Sequence, residues 1–159
     1  VPCSPRLLRE AVLQGGLGPA PLAGHAVTPR LAAELGSEDE EELEFAAMTV
    51  ASLDAVRLLA PDEPAVRVVV AVDVADGLVR PREGSDVSAV TLEQPVPLRR
   101  FAAVHVDSDA AADDVAAARA VAPDDPGEEE ALARCLDHDL EWYAASELDG
   151  LVERWAPTS

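Results

Sequence analysis

Lysine is missing from this 159-residue sequence: all 12 of its basic residues are arginine, set against 31 aspartates and glutamates, for a formal charge of −19. A field of that sign repels phosphate backbones and anionic lipid, because binding either one requires basic side chains to displace counterions. Nucleic acid and membrane are therefore not expected partners. Aromatic residues are scarce as well, at 3%, so a core has to be assembled from Leu, Val and Ala. Cysteine occurs only at positions 3 and 135, outside any C-x-x-C pair. That argues against a disulfide framework or a cysteine zinc site and predicts two free thiols. No run approaches the ~20 apolar residues of a membrane span, and the first residues lack the basic-then-apolar order of a secretory signal. A cytoplasmic location is the expectation.

What is present reads as one domain over residues 1–159. Hydrophobic residues make up 48% and charged ones 27%, a balance that supports a packed core. PRLLREAVLQGGLG (5–18) places Pro at a first helical position, spaces Leu8, Val12 and Leu13 at helical intervals, and stops at Gly15–Gly16. PLAGHAVTP (21–29) predicts a short strand, and Thr28–Pro29 starts a helical turn that ends at Leu35–Gly36.

The loudest stretch is SEDEEELEFAAMTVASLDAVRLLA (37–60). Ser37 with Glu40 three residues on is a capping-box pattern, and acids in a first turn sit against the positive end of the helix dipole. The acidic block therefore predicts a helix start at Ser37. Downstream, Phe45, Met48, Leu53, Val56 and Leu59 share one side of a helical wheel. Leu43, Ala47, Val50, Ala51 and Leu58 form a second stripe of mostly smaller residues, which predicts a helix packed on two sides.

VRVVVAVDV (66–74) is Val-rich enough for a strand buried on both faces at the centre of a sheet. VRPREGSD (79–86) reads as a loop, and VSAVTLE (87–93) and LRRFAAVHVDS (98–108) as two further strands. DAAADDVAAARAVAP (109–123) predicts a helix. DDPGEEE then repeats the acidic start before a helical segment in which Leu132, Leu136, Leu140 and Tyr143 share a stripe, with a break at Ser146 or Gly150. The fold class that follows is α+β: a mixed sheet of about four strands packed against four or five helices.

Four segments together, LEFAAMTVASLDAVRLLA, GPAPLAGHAVTP, VVVAVDVADGLVRP and HDLEWYAASELDGLV, resemble in order and spacing a family of small acidic actinobacterial proteins known as domain of unknown function 6912. The resemblance runs over nearly the whole chain and implies no activity, cofactor or catalytic residue. It does imply a β-type segment ending in Val-Pro ahead of the first helix, of which Val1–Pro2 remain here. A first strand lost from this end is then the expectation, leaving strand residues without a neighbour and an apolar groove exposed.

Few residues carry recognisable chemistry. His105-Val-Asp107 would project both side chains from one face of a strand, where they could share a metal or a proton. Asp137-His138-Asp139 is the other acid–histidine cluster. A first-row metal needs three or four converging ligands, so hydrolytic metal chemistry would require His25, His105, Asp107 and His138 to meet; without H-E-x-x-H or paired cysteines, nothing in the spacing forces this. GGLG (15–18) follows a helix and lacks G-K-[ST], which makes it a helix stop rather than a phosphate loop, and Ser85 has no nucleophile-elbow context. Arg80 and Arg82 with Arg99 and Arg100 could gather an anion if their loops were adjacent, although pairing with the chain's own acids is the commoner use. Trp142, about 100° from the Tyr143 stripe and near His138 on the expected helix, is the candidate contact residue, with His138 beside it.

The sequence thus favours a non-catalytic interaction or regulatory module with a protein partner or self-association and no cofactor. A small metal-dependent or hydrolytic enzyme using His105 and Asp107 is the alternative, and an acidic mimic that occupies a basic partner is a second.

Overall fold

In the computed structural model, which describes residues 1–157, the chain is α+β. Helix α1 (Pro5–Gln14) begins where the Ser4 hydroxyl accepts the Leu7 N–H and Pro5 occupies the first turn. It ends at Gly15, whose φ of 89° lets its N–H return to Ala11 O at 2.9 Å, the helix stop expected of the glycine pair. Helix α2 (Pro29–Leu35) repeats the device: Thr28 accepts the Leu31 N–H while its hydroxyl donates to Val87 O.

Helix α3 (Glu40–Leu58) starts two residues later than the Ser37 pattern predicts. Its N-cap is Asp39, which accepts the N–H groups of Glu41 and Glu42. Ser37 stands two residues outside, accepting the Asp39 N–H and donating to Glu42. With two side-chain acceptors competing for the same amides, the carboxylate nearer the first turn takes them. The glutamates that follow are exposed, so the acidic block is a helix start offered to water. The buried stripe also differs from the larger-residue side: Leu43, Ala47, Ala51, Ser52, Ala55 and Val56 face inward, and Phe45 is left 69% exposed. Small side chains at four-residue spacing let α3 lie close against the sheet, and a phenylalanine there would hold it off.

Among the described residues, nine strands form three separate sheets. The largest has the order β1 (Pro2–Cys3), β4 (Val68–Val72), β8 (Phe101–Asp107), β9 (Leu140–Ala144). Every pairing in it is antiparallel, so it is not mixed as expected. Strand β4 lies inside it, in register Val68↔Val106, Val69↔His105 and Val70↔Val104. The register slips by one at Ala71/Val72, leaving Ala102 as the extra residue of a bulge in β8. The segments read as further strands of one sheet divide instead: β6 (Ala89–Leu92) pairs with β3 (Leu22–His25) and β5 (Val79–Pro81), and β2 (Gly16–Leu17) pairs with β7 (Val96–Pro97). Strand β5 falls inside the stretch expected as loop.

Alternation in β4 and β8 sets the layers. Val68, Val70, Val104 and Val106 join Leu8 and Ala11 of α1 and Leu148, Leu151 and Val152 of α6 (Leu148–Glu153) in the main core. A second core lies where Val56 and Leu59 meet Val115 and Ala118 of α4 (Ala112–Ala120) and Ala131 and Cys135 of α5 (Glu128–Cys135). Chain termination of α5 at Cys135 corrects the long C-terminal helix: Leu140, Trp142 and Tyr143 belong to strand β9. Strand β8 needs a partner for its outer backbone groups, and that requirement outweighs a helical spacing of leucines.

Candidate functional site

His105 and Asp107 do share a face of β8, but they enter different environments. Asp107 is fully buried and bound by Arg67: Nη2 donates to Oδ1 at 2.7 Å, and Nε and the backbone N–H both donate to Oδ2, at 2.9 and 2.7 Å. Nη2 also donates to the carbonyl of His138 at 3.0 Å. The carboxylate is thus committed to a structural pair. His105 lies in the next row of the same face, between Val69 and Trp142 in the ladder. Loss of hydration holds its imidazole below the ordinary histidine range, with a smaller push from the Val1 ammonium.

The other two histidines are elsewhere. His138 is half-buried, and its Nε2 lies 2.7 Å from Asp114 of α4. His25, on β3 of the three-stranded sheet, has Nδ1 2.8 Å from Ser88 Oγ and Nε2 2.6 Å from Asp54 of α3. The structure does not bring His25, His105, Asp107 and His138 together, and among the described residues no three metal-ligating side chains converge.

The His25 cluster is a constellation that sequence reasoning missed, because Asp54, Asp86 and Ser88 come from a helix and a loop with no mutual spacing signal. Its order, Asp54, His25, Ser88, Asp86, superficially suggests a serine nucleophile and its base. The hydrogen positions argue otherwise. Ser88 is completely buried and its hydroxyl donates to Asp86 Oδ1 at 2.5 Å, so its proton is committed to a carboxylate rather than to His25, whose two ring nitrogens contact Ser88 and Asp54. Partial burial pushes the Asp86 carboxyl up, but the hydrogen bonds from the Ser88 hydroxyl and N–H outweigh it and hold the group below its usual value. The chain of bonds fastens α3 to the β3–β6 sheet and pins the loop before β6.

Trp142 is 62% exposed, on a strand with no neighbour on its outer side among the described residues. Because β9 is a strand, its closest cross-strand partner is His105, and His138 is turned to α4 instead. Tyr143, one residue on, takes the opposite face; it packs against the main core and its hydroxyl donates to Glu141 and accepts from Arg154.

Two concavities flank the N-terminal strand. Val1, just before β1, exchanges backbone bonds of 2.8 and 2.9 Å with Val70. Beyond it, Ala71–Val72 have no strand on that side among the described residues, and a groove of about 850 Å³ runs along this edge between α3 and the β3–β6–β5 sheet. A second cavity of about 430 Å³ opens between α1, β3 and the C-terminal half of α3, with Leu7, Leu22, Leu58 and Arg82 in its wall. Of the four arginines considered as an anion cluster, Arg80 pairs with Glu93. Arg82 contributes to this cavity, while Arg99 and Arg100 are exposed at the entry to β8.

With this geometry in view, comparison with protein families is decisive on one point: residues 1–152 match the Family of unknown function (DUF6912). The chain belongs to that family. No curated protein and no solved structure matches it. Membership in DUF6912 brings no assigned activity, so function has to be argued from the surfaces just described. None of the helices among the described residues is long and apolar enough to cross a membrane.

Proposed function

We propose that this DUF6912 protein is a non-catalytic interaction module that associates through the outer edge of β9, with Trp142 as its anchor. The observation that carries the reading is the coincidence, in one short strand, of a 62%-exposed tryptophan and a sheet edge left unpaired among the described residues. Tryptophan is the residue type most enriched among binding anchors, and an edge strand offers a row of backbone donors and acceptors that any extended segment can complete. The side chains that would serve catalysis are engaged elsewhere: Asp107 by Arg67, His138 by Asp114, and Ser88 by Asp86.

The simplest partner is a second copy, with the two β9 edges paired across a two-fold axis. Two chains of charge −19 repel one another, and salt shortens the reach of that repulsion to ~10 Å at 0.1 M. Association should therefore strengthen as salt rises. Light scattering at 0.5 M salt is expected to give a dimer mass, and Trp142→Ala a monomer with unchanged melting temperature. A wild-type protein that stays monomeric at all salts, with the amides of residues 140–144 exchanging as freely at high concentration as at low, would overturn the reading.

A further inference from the structure

We infer that the 430 Å³ cavity beside α1 is a binding site for a monocarboxylate carried on an apolar body, with Arg82 as the group that recognises the carboxylate. The volume lies in the range of small-ligand pockets, and such pockets combine apolar walls with a few fixed polar groups. Here the walls are Leu7, Ala11, Leu17, Leu22 and Leu58, and the distinctive polar group is Arg82.

Arg82 is anomalous in this protein. Its Nε is buried with no hydrogen-bond partner, and no other side-chain nitrogen or oxygen among the described residues is in that position. A guanidinium keeps its charge under all ordinary conditions, so with Nε closed off and unbonded the outer donors of the group call for an acceptor. Arg6, Arg57, Arg67, Arg80 and Arg134 have carboxylate partners among the described residues; Arg82 is one of the arginines without one, and of these the one whose unpartnered nitrogen is buried. The two carboxylates in the same wall do not fill the role: Asp54 is taken by His25, and Glu10 is exposed.

The position is also pre-set. The Arg82 N–H donates to Ala89 O at 2.9 Å, and the Asp86–Ser88–His25 bonds hold the rest of that loop against β3. A ligand carboxylate meets a planar fork of donors whose backbone does not have to be ordered on binding. Asp54 and Glu10 nearby disfavour a second negative charge, which is why the ligand class is a monoanion with an apolar remainder.

Octanoate and 1-octanol, which share a chain and differ in charge, test this directly. Octanoate is expected to bind saturably by calorimetry at least tenfold more tightly than octanol, and to shift the Arg82 Nε–H resonance in the unmodified protein while octanol leaves it in place. Arg82→Gln should abolish the preference and retain octanol-level binding. Trp142→Ala should change nothing, since the β9 edge is a separate surface, so failure of either proposal is read independently of the other. Equal binding of the two probes, no binding of either, or an Arg82 resonance indifferent to octanoate would each overturn the assignment.

Discussion

Arg67 and Asp107 close a fully buried ion pair across β4 and β8, with two guanidinium nitrogens and one backbone amide on a single carboxylate. Arg67 also reaches Ser52 of α3 and the His138 carbonyl, so the pair ties the sheet to the helix in front of it and to the turn before β9. Taking two charges out of water is costly, and what makes the arrangement tolerable is that the carboxylate is enclosed by donors.

That balance predicts an asymmetry between single and double replacement. Asp107→Asn leaves the Arg67 charge buried and uncompensated and should cost ~3–5 kcal/mol, read as a fall in the urea midpoint. Replacing both, as Arg67→Met with Asp107→Leu, removes the charges together and should return most of the lost stability. A double variant no better than the single one would show that the pair contributes more than mutual neutralisation.

The same pair marks the limit of what the sequence discloses. His105 and Asp107 were readable as a two-residue motif on one strand face, and they occupy one, but the arginine that neutralises Asp107 comes from 40 residues away with no spacing signal. Local features were legible: Pro5 at the first helical position of α1, the helical turn opened by Thr28–Pro29, the glycine stop at Gly15, the inner Val-rich strand β4 and the family itself. Non-local ones were not. Strands β1, β2 and β7 have only two residues each, too short for any period to register, and β9 takes in Leu140 and Tyr143, the end of a stripe at helical spacing that a neighbouring open strand overrode. The His25 cluster stayed hidden for the same reason as Arg67, since its four members come from β3, α3 and the loop before β6.

Both cysteines should be silent in the native protein. Cys3 is fully buried, and burial pushes its thiol up to about 12; Cys135 is raised by the same cause and its sulfur faces the carbonyls of Ala131 and Asp114. The thiolate is the reactive form, and here it is both scarce and out of reach. Ellman's reagent at pH 8 is expected to report no fast thiol in the native state and two after denaturation. A rapid native equivalent would mean that one of the helices over these sulfurs opens locally.

His105 gives stability a definite pH slope. Its folded-state value lies below the ordinary 6.5 because burial disfavours the charged ring. The unfolded chain therefore binds the proton more readily, so this contribution is complete above 6.5 and is lost as pH falls from there through the folded value. His105→Gln removes the titrating ring, and its urea midpoint should fall less than that of wild type between pH 7 and 5. Parallel curves for the two proteins would assign the acid sensitivity to other groups.

Glycine substitutions should split by backbone environment. A Cβ built on Gly16 would lie 2.4 Å from Val96 O and 2.9 Å from Pro97 Cα, both backbone atoms of the strand it pairs with. Neither can retreat without breaking the β2–β7 ladder, so Gly16→Ala should destabilise by ~1–3 kcal/mol, the usual cost of forcing extra volume into a packed site. Gly150 sits inside α6 with nothing within 4 Å of its added methyl. There alanine gains helix propensity, and Gly150→Ala should stabilise by up to ~1 kcal/mol. Thermal melts of the two single variants, measured side by side, should move in opposite directions; a loss at both positions would place α6 under a constraint other than its own helical geometry.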